Sequence, residues 1–450
     1  MRRVKRSGTL GDIPNTLSQA QQRSPMGARL PGRHRRAAER QATYGEVIAI
    51  REFRALWYAQ GLSLLGDQLA QVALAVLVYD RTKSPLATAA VYALTYLPSI
   101  VGGPLLAGLA DRFARRGVMI VCDVLRALLV AAMAVPGMPF PVLCVLVFFV
   151  VLLSAPFSAA RAALLPEILV GDRYVAGSAL QNMTNQAVQM LGFAAGGALI
   201  ATLGPYRALA LDAATFLASA LILVSGVRRR DSAAREGAKP SMWTMTRAGA
   251  RLVFGDRKLR TLVLFAWLCG FYVLPEGIAV PYAATLSSEL PVAVVTGLLM
   301  AAMPTGTVLG AFLFSRFVTP SGRLRVMGWM AMLSCAPLIL SAMRPPLAIV
   351  LALWILSGIG GAYQLAANAA FVQCVPAERR GQAFGLVQSG LMAAQGIGIL
   401  VGGLAAEKLG PEPVVALAGI MGVTSAAVLA MLWTESRGDI AARVRAQATA

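Results

Sequence analysis

The chain has 450 residues, 57% of them hydrophobic and only 14% charged, with a net charge of +20. Soluble proteins average about 25% charged residues, so this composition excludes an ordinary soluble enzyme and points to a chain that lives mostly in lipid. The positive charge lies in short clusters between apolar runs, with no helix-turn-helix, finger or aromatic-basic platform, which argues against nucleic acid as a partner.

Residues 1–54 read as a basic, disordered cytosolic tail, because they are polar and rich in Arg, Gln, Pro and Ser. A hydrocarbon core about 30 Å thick needs about 20 mainly apolar helical residues. Six such spans are expected at 55–79, 86–109, 117–135, 141–163, 175–203 and 206–226, and six more at 259–284, 292–315, 324–343, 346–371, 380–406 and 413–433. These form two six-helix halves, 55–226 and 259–433. Between them, 227–258 reads as a cytosolic linker with an amphipathic piece near 241–254, and 434–450 as a cytosolic C-terminal tail. With the N-terminus inside, 35 of the 41 lysines and arginines fall on the cytosolic side. Five fall outside (Arg81, Lys83, Arg207, Arg344 and Lys408), so the positive-inside rule places both termini in the cytosol. The expected class is all-α and polytopic, in a bacterial inner membrane.

Span 1 carries Gln60, Ser63, Asp67 and Gln71, whose spacing makes one polar stripe on a helix. Such a stripe faces water or another helix. Asp67 is therefore a candidate for binding a proton or a substrate cation, or else for an interhelical hydrogen bond. Between spans 2 and 3, Gly108–Arg116 packs Asp111, Arg112, Arg115 and Arg116 into a short charged turn. Asp123 and Arg126 in span 3 are three apart and can pair locally. With the turn they suit a charge cluster that breaks and reforms as a conformational lock, the alternative being plain topology marking. Phe157 in span 4, with Trp267 and Tyr272 in span 7, offers aromatic walls for a cavity or ordinary packing. Asp212 in span 6 reads as structural.

Glu276 in span 7 lies between Pro275 and Pro281, which free backbone carbonyls and bend the helix. It is the second proton-coupling candidate, or an outer gate contact. In span 10, Ser357, Gly361, Gln364 and Asn368 share a face with Tyr363 beside it; they bind a polar substrate or hold the span to its neighbours. Gly192, Gly196 and Gly197 in span 5, and Gly398, Gly402 and Gly403 in span 11, permit close helix approach. No Walker lysine follows a glycine-rich turn, so ATP is not the expected drive. The five cysteines and His34 lack metal-ligand spacing. No metal, cofactor or catalytic set is expected.

The halves repeat each other. Leu180, Ala187, Gln189, Gly192, Gly196-Gly197 and Leu203-Gly204-Pro205 match Leu386, Ala393, Gln395, Gly398, Gly402-Gly403 and Leu409-Gly410-Pro411, always 206 residues apart. Parallel repeats place a substrate site between the halves near the midplane. On the turn Gly108–Arg116, which is similar to a G-x-x-x-D-R-x-x-R-R signature with one residue fewer between Gly108 and Asp111, the chain resembles the major facilitator superfamily over 55–433. Gly310–Arg325 resembles a degenerate second copy, with Ser315 in place of the acid. Phe53–Trp57, Ser63–Asp67, Asp123–Arg126 and Ala160–Pro166 resemble the macrolide and enterobactin exporters of that superfamily. The resemblance implies spans 1, 4, 7 and 10 around a cavity, Asp111 meeting the start of span 11, and proton-driven export. The expected partners are an amphipathic small molecule, protons and the bilayer, with the monomer as the working unit. A siderophore exporter is the alternative, and a non-transporting receptor or sensor the reading of a different class.

Overall fold

In the computed structural model, residues 42–98, 113–230, 242–286, 288–376 and 379–449 are described. Among them, ten helices are long and apolar enough to cross a membrane. Span 3 is the helix Arg115–Met133, whose apolarity is interrupted by Asp123 and Arg126. Span 2 begins as the helix Pro85–Ala93 and passes out of the described residues beyond residue 98. The result is the all-α architecture of two six-helix halves.

The boundaries follow local chemistry. Ser84 opens span 2, its hydroxyl accepting from the Ala87 amide at 3.1 Å, and Asp256 opens span 7 by accepting from the Lys258 amide at 2.7 Å. Span 5 (Asp172–Leu203) turns into span 6 (Pro205–Gly226) through Gly204, at φ 80°. Span 11 (Arg380–Leu409) turns into span 12 through Gly410, at φ 85°. Both glycines hold a backbone conformation that costs a side chain dearly. In both turns a proline then starts the next helix, where its missing N–H is not needed.

Several boundaries differ from the sequence reading. Residues 44–49 and 51–54, expected in the disordered tail, are helical; Val47 and Phe53 are fully buried against spans 4, 5 and 6, and that burial folds the segment. The C-terminal tail is also helical, since span 12 continues from Pro411 to Thr449. The linker holds the helix Met242–Gly255, where the amphipathic piece near 241–254 was expected. Span 7 is not one helix but four pieces, Arg257–Trp267, Cys269–Tyr272, Leu274–Gly277 and Ala279–Thr285. Span 9 is an α-helix to Leu333 and then a 3-10 turn, Ala336–Met343; Pro337 cannot donate the bond that would continue the α-helix. Span 10 breaks at Ala362, between Leu347–Gly361 and Tyr363–Cys374.

One end of the bundle carries most of the described charge. There Glu52 holds Arg230 at 2.6 Å and Arg228 at 3.6 Å, Arg115 pairs with Glu167, and Arg323 donates to the Ser315 and Val318 carbonyls at 2.7 and 2.9 Å. This is the basic end. At the far end the two halves touch. Glu407 of span 11 accepts from the Ser84 hydroxyl at 2.8 Å and the Leu86 amide at 3.1 Å. Spans 5 and 8 cross so closely that a Cβ on Gly197 would lie 2.9 Å from the Gly297 Cα.

Candidate functional site

Two groups of polar side chains lie inside the bundle. The first is an ionic cluster within the N-terminal half, where spans 1, 3 and 6 pack together. Arg126 donates to both carboxylate oxygens of Asp67, at 2.7 and 3.0 Å, and to the Ser63 hydroxyl at 3.4 Å. It also lies 3.9 Å from Asp123 and 4.1 Å above the centre of the Phe216 ring. The guanidinium suits this place because it is planar, always charged and able to meet a carboxylate two-handed while stacking on an aromatic ring. Asp123 accepts a 2.6 Å bond from Ser219. Asp212 accepts from Thr215 at 3.2 Å. Arg126, Asp123 and Asp212 are each at most 3% exposed, whereas the Asp67 side chain is 29% exposed. A small cavity of about 170 Å³ reaches Asp67, Arg126 and Asp212, with Gln68, Gln71, Thr95 and Ser154 on its walls.

The second group lines a cavity of about 650 Å³ between the halves. Span 5 contributes Asn182 and Gln186, span 10 contributes Gln364 and Asn368, and span 11 contributes Gln388; Phe371, Phe384 and aliphatic side chains make up much of the rest. All these residues lie on the basic-end side of their helices. No charged side chain is among the described lining residues. Tyr272 holds one wall, accepting from the Gln364 amide at 2.6 Å.

The placement of the sequence candidates is mixed. Asp67 and Ser63, read as one stripe, and Asp123 and Arg126, read as part of a loop lock, form a single cluster inside the membrane-spanning region. Gln71 faces the small cavity, while Gln60 is half-buried and lines neither. Gly108, Asp111 and Arg112 lie outside the described residues. Arg115 is paired with Glu167, and Arg116 binds the Leu223 and Val224 carbonyls. Gln364 and Asn368 face the large cavity. Ser357 does not; its hydroxyl is fully buried against the Ser334 carbonyl of span 9, because the break at Ala362 takes the two parts of span 10 out of one continuous face. Tyr363 is also buried, donating to the Phe265 carbonyl at 2.7 Å.

The aromatic walls need correction. Phe157 is 3% exposed and packs in an apolar core with Phe53, Leu56 and Met119, so it lines no described cavity. Trp267 is half-buried against span 11, donating to the Val387 carbonyl at 3.2 Å. Glu276 is 8% exposed and accepts from the Tyr92 hydroxyl across the halves at 3.0 Å.

The glycines sit at close helix crossings. Gly192 and Gly196 meet Gln68 and Leu69 of span 1, and Gly197 meets span 8. Gly398 and Gly402 meet Gly270 and Leu274 of span 7, and Gly403 meets the start of span 2. Sequence reasoning missed Asn182, Gln186 and Gln388 at the cavity and Tyr92 and Glu407 between the halves. The internal repeat held part of the signal, since Asn182 and Gln388 are themselves 206 residues apart.

Comparison with known proteins adds the family. Residues 56–280 and 271–448 match the Major Facilitator Superfamily profile. The multidrug efflux pump Tap of Mycolicibacterium fortuitum is 28% identical over 368 residues, 77% of this chain and 87% of that one. The uncharacterized MFS-type transporter YfiS of Bacillus subtilis strain 168 is 25% identical over 370 residues, 78% of this chain and 86% of that one. A crystal structure of the nucleoside transporter NupG superimposes with a TM-score of 0.62 at 15% identity, over 84% of this chain and 98% of that one, which is a likeness of fold. The chain belongs to the major facilitator superfamily and is a multi-pass membrane transporter, not an enzyme.

Proposed function

We propose that the chain exports amphipathic small molecules, drugs or secondary metabolites, from a bacterial cytosol in exchange for protons, by alternating access. The observation that carries this reading is the large cavity between the halves. Its walls are apolar and aromatic, with neutral amides from Asn182, Gln186, Gln364, Asn368 and Gln388. Such a wall takes a bulky, mostly apolar molecule and orients it with a few hydrogen bonds. An anionic siderophore would want a cation there, and the described lining residues offer none.

The excess of lysines and arginines at the basic end supports a cytosolic position for it. Contacts at the far end, from Glu407 to span 2 and from Tyr92 to Glu276, together with a cavity on the basic side, support an inward-facing state. In that state substrate enters from the cytosol or inner leaflet. Asp67 belongs to the coupling machinery in this reading, being the partly exposed member of the ionic cluster beside a small polar cavity. The likeness to the efflux pump Tap supports the direction of transport. The protein works as a monomer, with both termini in the cytosol.

Cells expressing the chain and loaded with a cationic amphipathic dye test this. Energised cells should lose dye faster than cells expressing Asp67→Asn, and an uncoupler should abolish the difference. Equal loss from both, or loss that survives the uncoupler, would contradict proton-coupled export.

A further inference from the structure

We propose that Asp212 holds the transported proton, being a neutral carboxylic acid in this conformation and a carboxylate once the proton leaves. The inference rests on the proton-coupled reading above and names a group that sequence reasoning took as structural.

Three carboxyls, Asp67, Asp123 and Asp212, share one guanidinium. Asp67 occupies it with both oxygens, at 2.7 and 3.0 Å. Asp123 has one buried oxygen without a hydrogen bond, Oδ1, but that atom lies 3.9 Å from Arg126, and the Asp123 Oδ2 accepts a 2.6 Å bond from the Ser219 hydroxyl. Asp212 is 1% exposed, its Oδ1 meets only the Thr215 hydroxyl at 3.2 Å, a hydroxyl that also reaches the Asp212 backbone carbonyl at 2.8 Å, and its Oδ2 is buried with no hydrogen-bond partner among the described residues. A buried ionised carboxylate without a partner neutralises itself by taking a proton. Among the described residues lining the cavity that Asp212 borders, the one cation is Arg126, and Asp67 already occupies it. Span 1 presents Asp67, span 3 presents Asp123, Arg126 and Cys122, and span 5 has no titratable side chain between Tyr174 and Leu203.

The same geometry gives the proton a route and a consequence. Asp212 and Asp67 both border the cavity of about 170 Å³, which is roomy and polar enough for water. Gly66, the neighbour of Asp67, lets span 1 lie directly on Asp212; any Cβ there would collide with the Asp212 and Thr215 side chains. When the O–H bond of Asp212 breaks, the proton passes to cavity water and the electron pair stays on the carboxylate. Asp212 then competes with Asp67 for Arg126. A shift of that guanidinium redistributes the contacts that tie span 3 to Asp67 of span 1 and Phe216 of span 6, within the half that must rock.

Infrared spectroscopy of the purified full chain in lipid nanodiscs tests this without substrate. At neutral pH the wild type should show the carbonyl band of a protonated carboxyl that shifts in heavy water. Asp212→Asn should remove that component. Thr215→Val, which deletes the donor to Oδ1, should move it to higher frequency, and this second variant decides the matter if Asp212→Asn does not fold. Absence of the band in the wild type, its survival in Asp212→Asn, or an unmoved band in Thr215→Val would overturn the proposal. Wild-type vesicles in turn report substrate-driven proton movement. If the band behaves as expected but no such movement occurs, Asp212 holds a fixed proton: its protonation stands, and its part in transport falls together with the exporter reading.

Discussion

The contact between Tyr92 and Glu276 joins the two halves at the end expected to face outward, and removing it should shift the conformational balance by a calculable amount. In Tyr92→Phe the ring and its packing beside Tyr96 remain, with centroids 6.0 Å apart in the wild type, while Glu276 Oε2 loses a 3.0 Å hydrogen bond. Glu276 is 8% exposed, so the orphaned oxygen finds little water in the closed arrangement. Leaving a buried acceptor unsatisfied costs about 1–3 kcal/mol. In the open arrangement water replaces the phenol and the cost vanishes. The equilibrium should therefore move toward the outward-open state by about 5- to 150-fold. Spin labels at exposed positions Val135 and Met343, one on each half at the far end, report it by electron–electron distance measurement in a background lacking the five native cysteines. The long-distance population should grow in Tyr92→Phe. An unchanged distribution, or a gain in the short distance, would refute the reasoning that this bond holds the outer side shut.

Other expectations follow from single contacts. Asn182→Ala and Gln388→Ala should each raise the KM for export by about 2- to 10-fold, the worth of one net hydrogen bond of about 0.5–1.5 kcal/mol. Ser357→Ala should leave KM alone and lower the melting temperature, because its hydroxyl serves span 9. Phe157→Ala should cost about 3 kcal/mol or more of stability, as a large side chain removed from a packed core does, and thermal unfolding in detergent should show it while transport per folded molecule stays near wild type. Gly197→Val places new atoms against the Gly297 backbone, where no side chain can give way; cysteine labelling at the far end should become faster as the halves are forced apart.

The parts of the fold that depend on lipid were legible in the sequence. Long apolar runs and the turns Gly204-Pro205 and Gly410-Pro411 announce the spans, and Pro275 and Pro281 announce a bent span 7. The break at Ala362 did carry a mark, the pair Gly360-Gly361 just before it, but glycines in a membrane span also serve close helix packing, and so Ser357 was grouped with Gln364 on a face that does not exist. The candidate site shows the same division. Spacing reveals neighbours on one helix, which is why the stripe of Ser63, Asp67 and Gln71 was readable. It says nothing of partners on another helix, so the pairing of Arg126 with a carboxylate 59 positions away was invisible. Phe157 illustrates the limit for apolar residues. In a span hydrophobic on all sides, nothing in the sequence separates the face toward a cavity from the face toward a core.

Proton exchange for substrate is the claim on which the rest depends, and inverted membrane vesicles test it most directly. With a proton gradient established, an added substrate from a panel of macrolides, dyes and siderophores should collapse the gradient in vesicles carrying the wild-type chain and fail to do so with Asp67→Asn. The account predicts that response for an amphipathic neutral or cationic compound. A wild-type chain that carries such a compound and leaves the gradient untouched, or an Asp67→Asn chain that collapses it as the wild type does, would contradict the account.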